Sequence, residues 1–137
     1  MIQFITGRKG EGKTKRLIEM ANEAGKTTDG HVVFIDDDSR HIYDLHYDIR
    51  FVETGSFDLF NYREFVGFVY GILSQNSDIT DIFVDGLTNI IGKMDNEDLV
   101  KLVKKLDVLS GTNSVNFIIS MNCVPEELPE EVKALMI

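Results

Sequence analysis

The chain has 137 residues, enough for one domain that buries roughly two thirds of its unfolded surface, and no linker-like tract or internal repeat divides it. Its formal net charge of −9 argues against a nucleic acid backbone as partner, and no apolar run approaches the ~20 residues that cross a bilayer. Cys123 is the only cysteine and excludes an internal disulfide; with an N-terminus that has no basic stretch before a hydrophobic run, it points to the cytoplasm and against membrane insertion.

In chain order, Ile2 to Ile5 reads as a buried strand, and from Lys13 the apolar positions Leu17, Ile18, Ala21 and Ala24 recur at helical spacing until Gly25. His31 to Ile35 is a second strand, ended by Asp36-Asp37-Asp38-Ser39, and Ile49 to Val52 is a weaker third. From about Asn61 to Leu73 the residues Phe65, Phe68, Val69 and Ile72 share a helical face. Asp81 to Asp85 is a fourth strand stopped by Gly86. Asp95 reads as the N-cap of a helix whose face is Leu99, Leu102, Val103 and Leu106, with Lys101, Lys104 and Lys105 turned to solvent. Val115 to Ser120 is a fifth strand, and Pro129 opens a last short helix containing Val132 and Leu135.

Strands alternating with helices predict an α/β fold, a three-layer α/β/α sandwich around a mainly parallel five-stranded sheet. Ligands of such sheets bind at the carboxyl ends of the strands. Thr6, Asp36 to Asp38, Asp85 and Ser120 to Asn122 should therefore lie along one edge.

Five of the fourteen basic residues, Arg8, Lys9, Lys13, Lys15 and Arg16, crowd one short stretch of this acidic chain, which suits a compact polyanion. The stretch contains Gly7-Arg8-Lys9-Gly10-Glu11-Gly12-Lys13-Thr14, a match to the P-loop (Walker A) pattern with a strand before it and a helix after it. In such a loop the glycines let successive N–H groups turn toward phosphate oxygens, and the helix N-terminus adds its partial positive charge. Lys13 would reach the β and γ phosphates of ATP and act in catalysis, Thr14 would ligate Mg²⁺, and the nucleotide-binding set would run from Gly7 through Lys15. Asp85, at the end of an apolar strand, fits the carboxylate that holds Mg²⁺ through water. Gly86 stands where many ATPases carry a catalytic Glu.

The order of P-loop strand, Phe34-Ile35-Asp36-Asp37-Asp38, Ile82-Phe83-Val84-Asp85 and Phe117-Ile118-Ile119-Ser120-Met121-Asn122 resembles the RecA-like ATPase core, from Met1 to about Asn122. The resemblance implies a catalytic base two positions after the Asp of the Phe-Ile-Asp sequence, which is Asp38, one methylene shorter than the family's usual Glu. It likewise implies that Asn122 is the polar sensor of the γ-phosphate. The chain is also similar to short bacterial ATP-binding proteins labelled as twitching-motility related. The pilus-retraction motors of that motility are much longer, with an extra N-terminal domain and histidine-bearing motifs that are missing here, so their function does not carry over.

GTP is disfavoured, because Met121-Asn122-Cys123-Val124 occupies the place of an Asn-Lys-x-Asp guanine motif. The five-residue spacing of His41 and His46 puts the two imidazoles on different helical faces and no Cys or second acid cluster completes a set with Asp44, so they read as surface residues rather than metal ligands. Cys123 reads as a packing residue. These signals predict a weak ATPase or nucleotide-dependent switch binding MgATP, with an unidentified protein partner or self-association to receive the signal. The alternatives are a binding module with negligible hydrolysis and, behind it, a small-molecule kinase, whose arginine lid would have to come from Arg40, Arg50 and Arg63.

Overall fold

A computed structural model describes residues Met1–Ile137. The strands are β1 (Ile2–Gly7), β2 (His31–Asp36), β3 (Arg50–Glu53), β4 (Ile79–Val84) and β5 (Asn116–Asn122). The helices are α1 (Lys13–Thr27), α2 (Tyr62–Gln75), α3 (Leu87–Ile91), α4 (Asn96–Asn113) and α5 (Glu130–Lys133). The five strands form one sheet in the order β1-β5-β4-β2-β3, and every pairing is parallel. The α/β class and the three layers expected from the alternation are present.

Period-two alternation decides which residue faces which layer. Phe4, Val33, Ile35, Ile82, Val84, Phe117 and Ile119 point to one side, where α2 and α4 pack over a cluster of 26 buried residues. Ile5, Val32, Phe34, Phe83 and Ile118 point to the other, where Leu17, Ile18 and Ala21 of α1 close a cluster of 10. Extending the α1-side rows by one step leads from Phe34 to Asp36, from Phe83 to Asp85 and from Ile118 to Ser120. The rows therefore change from apolar to polar at the carboxyl ends of three strands, beside the start of α1.

Several details depart from the pattern in the sequence. The buried stripe of α2 is Tyr62, Phe65, Val66, Val69 and Leu73, while Phe68 and Ile72 flank it half-buried. The flank is apolar because Phe68 packs against Phe57 of the preceding loop, with ring centroids 5.3 Å apart. Ile49 precedes β3 rather than belonging to it, yet it is buried in the α1-side cluster. The last helix stops at Lys133. Leu135 lies beyond it, where its carbonyl accepts from Phe4 N at 2.9 Å and Ile137 N donates to Phe4 O at 2.9 Å, covering part of the outer edge of β1. The five-residue α3 is too short to show a periodicity. No helix is long and apolar enough to cross a membrane.

Candidate functional site

β1 ends at Gly7, and the chain turns through Arg8 to Gly12 before α1 begins. Glu11 N donates to Arg8 O at 3.2 Å within the turn, and Arg16 N to Gly12 O at 3.1 Å opens the helix. Gly10 and Gly12 sit at φ 88° and 82°, in the left-handed region that glycine enters without penalty. The start of α1 has no side-chain cap, whereas Asn61 caps α2 and Asp95 caps α4. The first-turn N–H groups of α1 are thus left to whatever enters the cleft in front of them, at the positive end of the helix dipole. Lys13 arches back over the turn, its Nζ donating to Arg8 O at 2.6 Å.

Across the sheet edge, Thr14 Oγ1 donates to Asp85 Oδ1 at 3.3 Å, and Ser120 Oγ donates to the same oxygen at 2.9 Å. Ser120 Oγ also accepts from Gly86 N at 2.8 Å. Because β5 lies between β1 and β4, its Ser120 can brace the end of β4 for α1. Gly86 takes φ 71°, and a Cβ there would fall 2.8 Å from Asn89 Nδ2. A Glu at this position would be strained in its backbone and would have to displace the Asn89 side-chain amide.

Asp36 is held from two directions. Its carbonyl accepts from Thr54 N at 2.8 Å, and Asp85 N donates to the adjacent Ile35 O at 2.8 Å. The Asp36 side chain is 3% exposed; Oδ1 accepts from Asp37 N at 2.7 Å, and Oδ2 has no partner. Burial pushes the Asp36 carboxyl up to about 8, and the neighbouring Asp37 carboxyl and the charge on Asp85 act in the same direction. Asp85 is also buried, at 8% exposure.

These groups line one cleft of about 670 Å³ that holds Lys9, Gly10, Gly12, Lys13, Thr14, Lys15, Asp36, Asp37, Asp85, Ser120 and Asn122 of the expected edge. It extends along α1 past Ile18 and Asn22 to Arg40, His41 and Asp44. Cations on the loop face carboxylates on the strand ends, an arrangement suited to an anion bridged by a metal ion. Arg8 lies instead on a neighbouring cavity that shares Lys9 and Asn122 with the cleft, and Arg16 Nη1 donates to Ile137 O at 3.2 Å. Gly7, Thr6 and Glu11 do not line the cleft. Gly7 carries the loop's first carbonyl, which accepts from Cys123 N at 3.1 Å.

Asp38 is not among the lining residues. Arg40 holds it with three hydrogen bonds, from N to Oδ1 at 3.0 Å and from Nε and Nη2 to Oδ2 at 3.1 and 2.8 Å. These bonds lower the Asp38 carboxyl below its ordinary range. Asp36 and Asp37 reach the cleft where the sequence resemblance singles out Asp38. The burial of Asp36 has one signal in the sequence, its place on the α1-side row after Phe34, but the row is recognisable only once the sheet is assembled.

Of the three arginines between β2 and β4 considered for a lid, Arg40 lines the cleft. Arg50 opens the edge strand β3, and Arg63 lies over the Tyr62 ring at 5.6 Å. His41 Nδ1 is 3.1 Å from Asp44 Oδ2 and His46 Nδ1 is 3.6 Å from Asp48 Oδ2. No group of three or more His, Cys, Asp or Glu side chains is placed to hold a metal. A self-sufficient zinc-type centre is therefore not built here, and a cation on Thr14 and Asp85 needs further oxygens from water or ligand. Burial raises the Cys123 thiol, which leaves it little thiolate character. No protein-family model matches this chain, and no curated protein matches its sequence.

Proposed function

We propose that the chain is a P-loop nucleotide-binding protein with a RecA-like core, binding MgATP in this cleft and acting as a nucleotide-dependent switch or weak ATPase. The observation that carries the reading is the meeting of Thr14 with Asp85 at 3.3 Å directly beside an uncapped helix start and Lys13. In this reading the loop N–H groups and Lys13 take the phosphates, and Thr14 and Asp85 take Mg²⁺, which would supply charge neutralisation between the β and γ phosphates. The orphaned Asp36 oxygen and the oxygen-only donor set fit a hard divalent cation. Asn122 lies at the loop, paired in register with Gly7, where a sensor of the terminal phosphate would stand.

Slow hydrolysis is favoured over fast turnover, because Asp38 is committed to Arg40 and the left-handed backbone at position 86 disfavours a Glu there. A kinase reading has only Arg40 to offer as a lid cation. The protein partner or self-associated state that receives the signal, and a cytoplasmic setting, belong to the same proposal.

The test is thermal unfolding with and without MgATP. A ligand present at ~100 times its dissociation constant adds about 2.7 kcal/mol to the native state. Wild type should shift upward, Lys13→Ala should lose most of the shift, and GTP should bind no better than ATP. Absence of any shift for wild type in millimolar MgATP would overturn the proposal.

A further inference from the structure

Asp36 and Asp85 form a pair that the apolar packing around them does not explain. The β2–β4 register ends at Ile35 and Val84, so the next residues of the two parallel strands, Asp36 and Asp85, stand side by side on the α1 face. Both are buried, at 3% and 8% exposure. Asp85 Oδ1 is satisfied by Thr14 and Ser120, whereas Asp36, which lines the same cleft, keeps a buried Oδ2 with no donor at all. No basic side chain forms a salt bridge with either carboxylate. Two adjacent buried carboxyl groups with no basic side chain paired to them are costly, and the cost falls when a cation is placed between them.

Asp36 is also fixed in place. Thr54 holds its carbonyl through both N and Oγ1, at 2.8 and 3.3 Å, and the peptide after it returns Asp37 N to Oδ1. The Asp36 carboxyl is thereby carried by a tethered strand end rather than by a loop. Oxygen donors on rigid elements, too few to strip an ion of its water, suit Mg²⁺ or Mn²⁺ rather than zinc.

We infer that Asp36 is a third oxygen donor, with Thr14 and Asp85, to a divalent-cation site that this chain fills without nucleotide. The inference deepens the cation side of the proposed MgATP site and gives Asp36 a role that the sequence pattern assigns to no residue. It separates the three acids at the end of β2. Asp36 serves the cation, and Asp38 serves Arg40.

The experiment is an electron paramagnetic resonance titration of Mn²⁺ with nucleotide-free protein, with Mg²⁺ as competitor. Wild type should take up one Mn²⁺ that Mg²⁺ displaces. Asp36→Asn and Asp85→Asn should each weaken uptake about tenfold or more, as loss of a metal-orienting group does. Asp38→Asn should match wild type. Circular dichroism in EDTA checks folding, and Asp36→Asn should be at least as stable as wild type there, because an amide is neutral without the proton that the buried carboxyl has to take up on folding. Uptake by wild type no tighter than by Asp36→Asn, including no uptake by either, would overturn the inference and would mean that a shared proton relieves the pair. ATP binding that depends on Lys13, measured beside such a result, would leave the nucleotide proposal standing. Mn²⁺ uptake without ATP binding would do the reverse.

Discussion

Ser120 and Asp85 are joined across neighbouring strands, hydroxyl to carboxylate at 2.9 Å, and the same hydroxyl accepts the Gly86 N–H at 2.8 Å. One buried serine thus fixes both the carboxylate that meets Thr14 and the turn that follows it. Ser120→Ala leaves a buried N–H without an acceptor and Asp85 with one donor fewer. The expected cost is about 1–3 kcal/mol in urea unfolding, with weaker MgATP binding and unchanged affinity for Mg²⁺-free nucleotide. Wild-type stability in the variant would show that water replaces the hydroxyl.

The raised Asp36 carboxyl makes stability depend on pH. Its pKa is about 8 in the folded chain against 3.8 for the ordinary group, so between these values the folded state holds a proton that the unfolded state has released. Stability of the metal-free protein therefore falls as pH rises from about 4 to about 8, by at most about 1.4 kcal/mol per pH unit, and levels off above. Asp37 and Asp85 are the acids that face Asp36, and neither is removed by Asp36→Asn. Denaturant unfolding in EDTA across this window should show a slope in wild type that Asp36→Asn flattens. Parallel pH profiles for the two proteins would contradict the assignment.

The Asp38–Arg40 pair leads to a linked expectation for turnover. If Asp38 orients water, as the RecA-like resemblance implies, Asp38→Asn should lower hydrolysis while Arg40→Ala leaves it intact. If the carboxylate acts by holding Arg40 at the cleft, the two variants should lose activity together. The three hydrogen bonds between them favour the second outcome, with MgATP affinity little changed in Asp38→Asn. ADP release under single-turnover conditions decides between them.

Gly86 occupies a left-handed backbone conformation at φ 71°, with Asn89 where a Cβ would project. Gly86→Ala should cost about 1–2 kcal/mol from the backbone alone. Gly86→Glu should destabilise at least as much and should not accelerate hydrolysis. A faster ATPase from Gly86→Glu would show that the turn can rearrange around a new acid.

The sequence by itself determined the order of the five strands and of every helix but α3, the parallel sheet class and the glycine-rich turn between β1 and α1, because these depend on local signals: period-two runs, helical spacing, and glycines beside lysines. It also named Thr14 and Asp85 together, through the P-loop pattern that expects both to hold one ion, and the two side chains meet at 3.3 Å. Chain order alone could not tell which of Asp36, Asp37 and Asp38 turns inward, since three consecutive acids look alike until a register is set. Pairing β2 with β4 put Asp36 next to Asp85 on the α1 face, and the turn to Arg40 carried Asp38 away from the cleft. Ser120 stood on the expected edge, but its bracing role arises because β5 inserts between β1 and β4, a long-range choice made by packing. The tertiary structure decided these points because burial and strand register belong to the assembled sheet and leave little trace in any one stretch of chain.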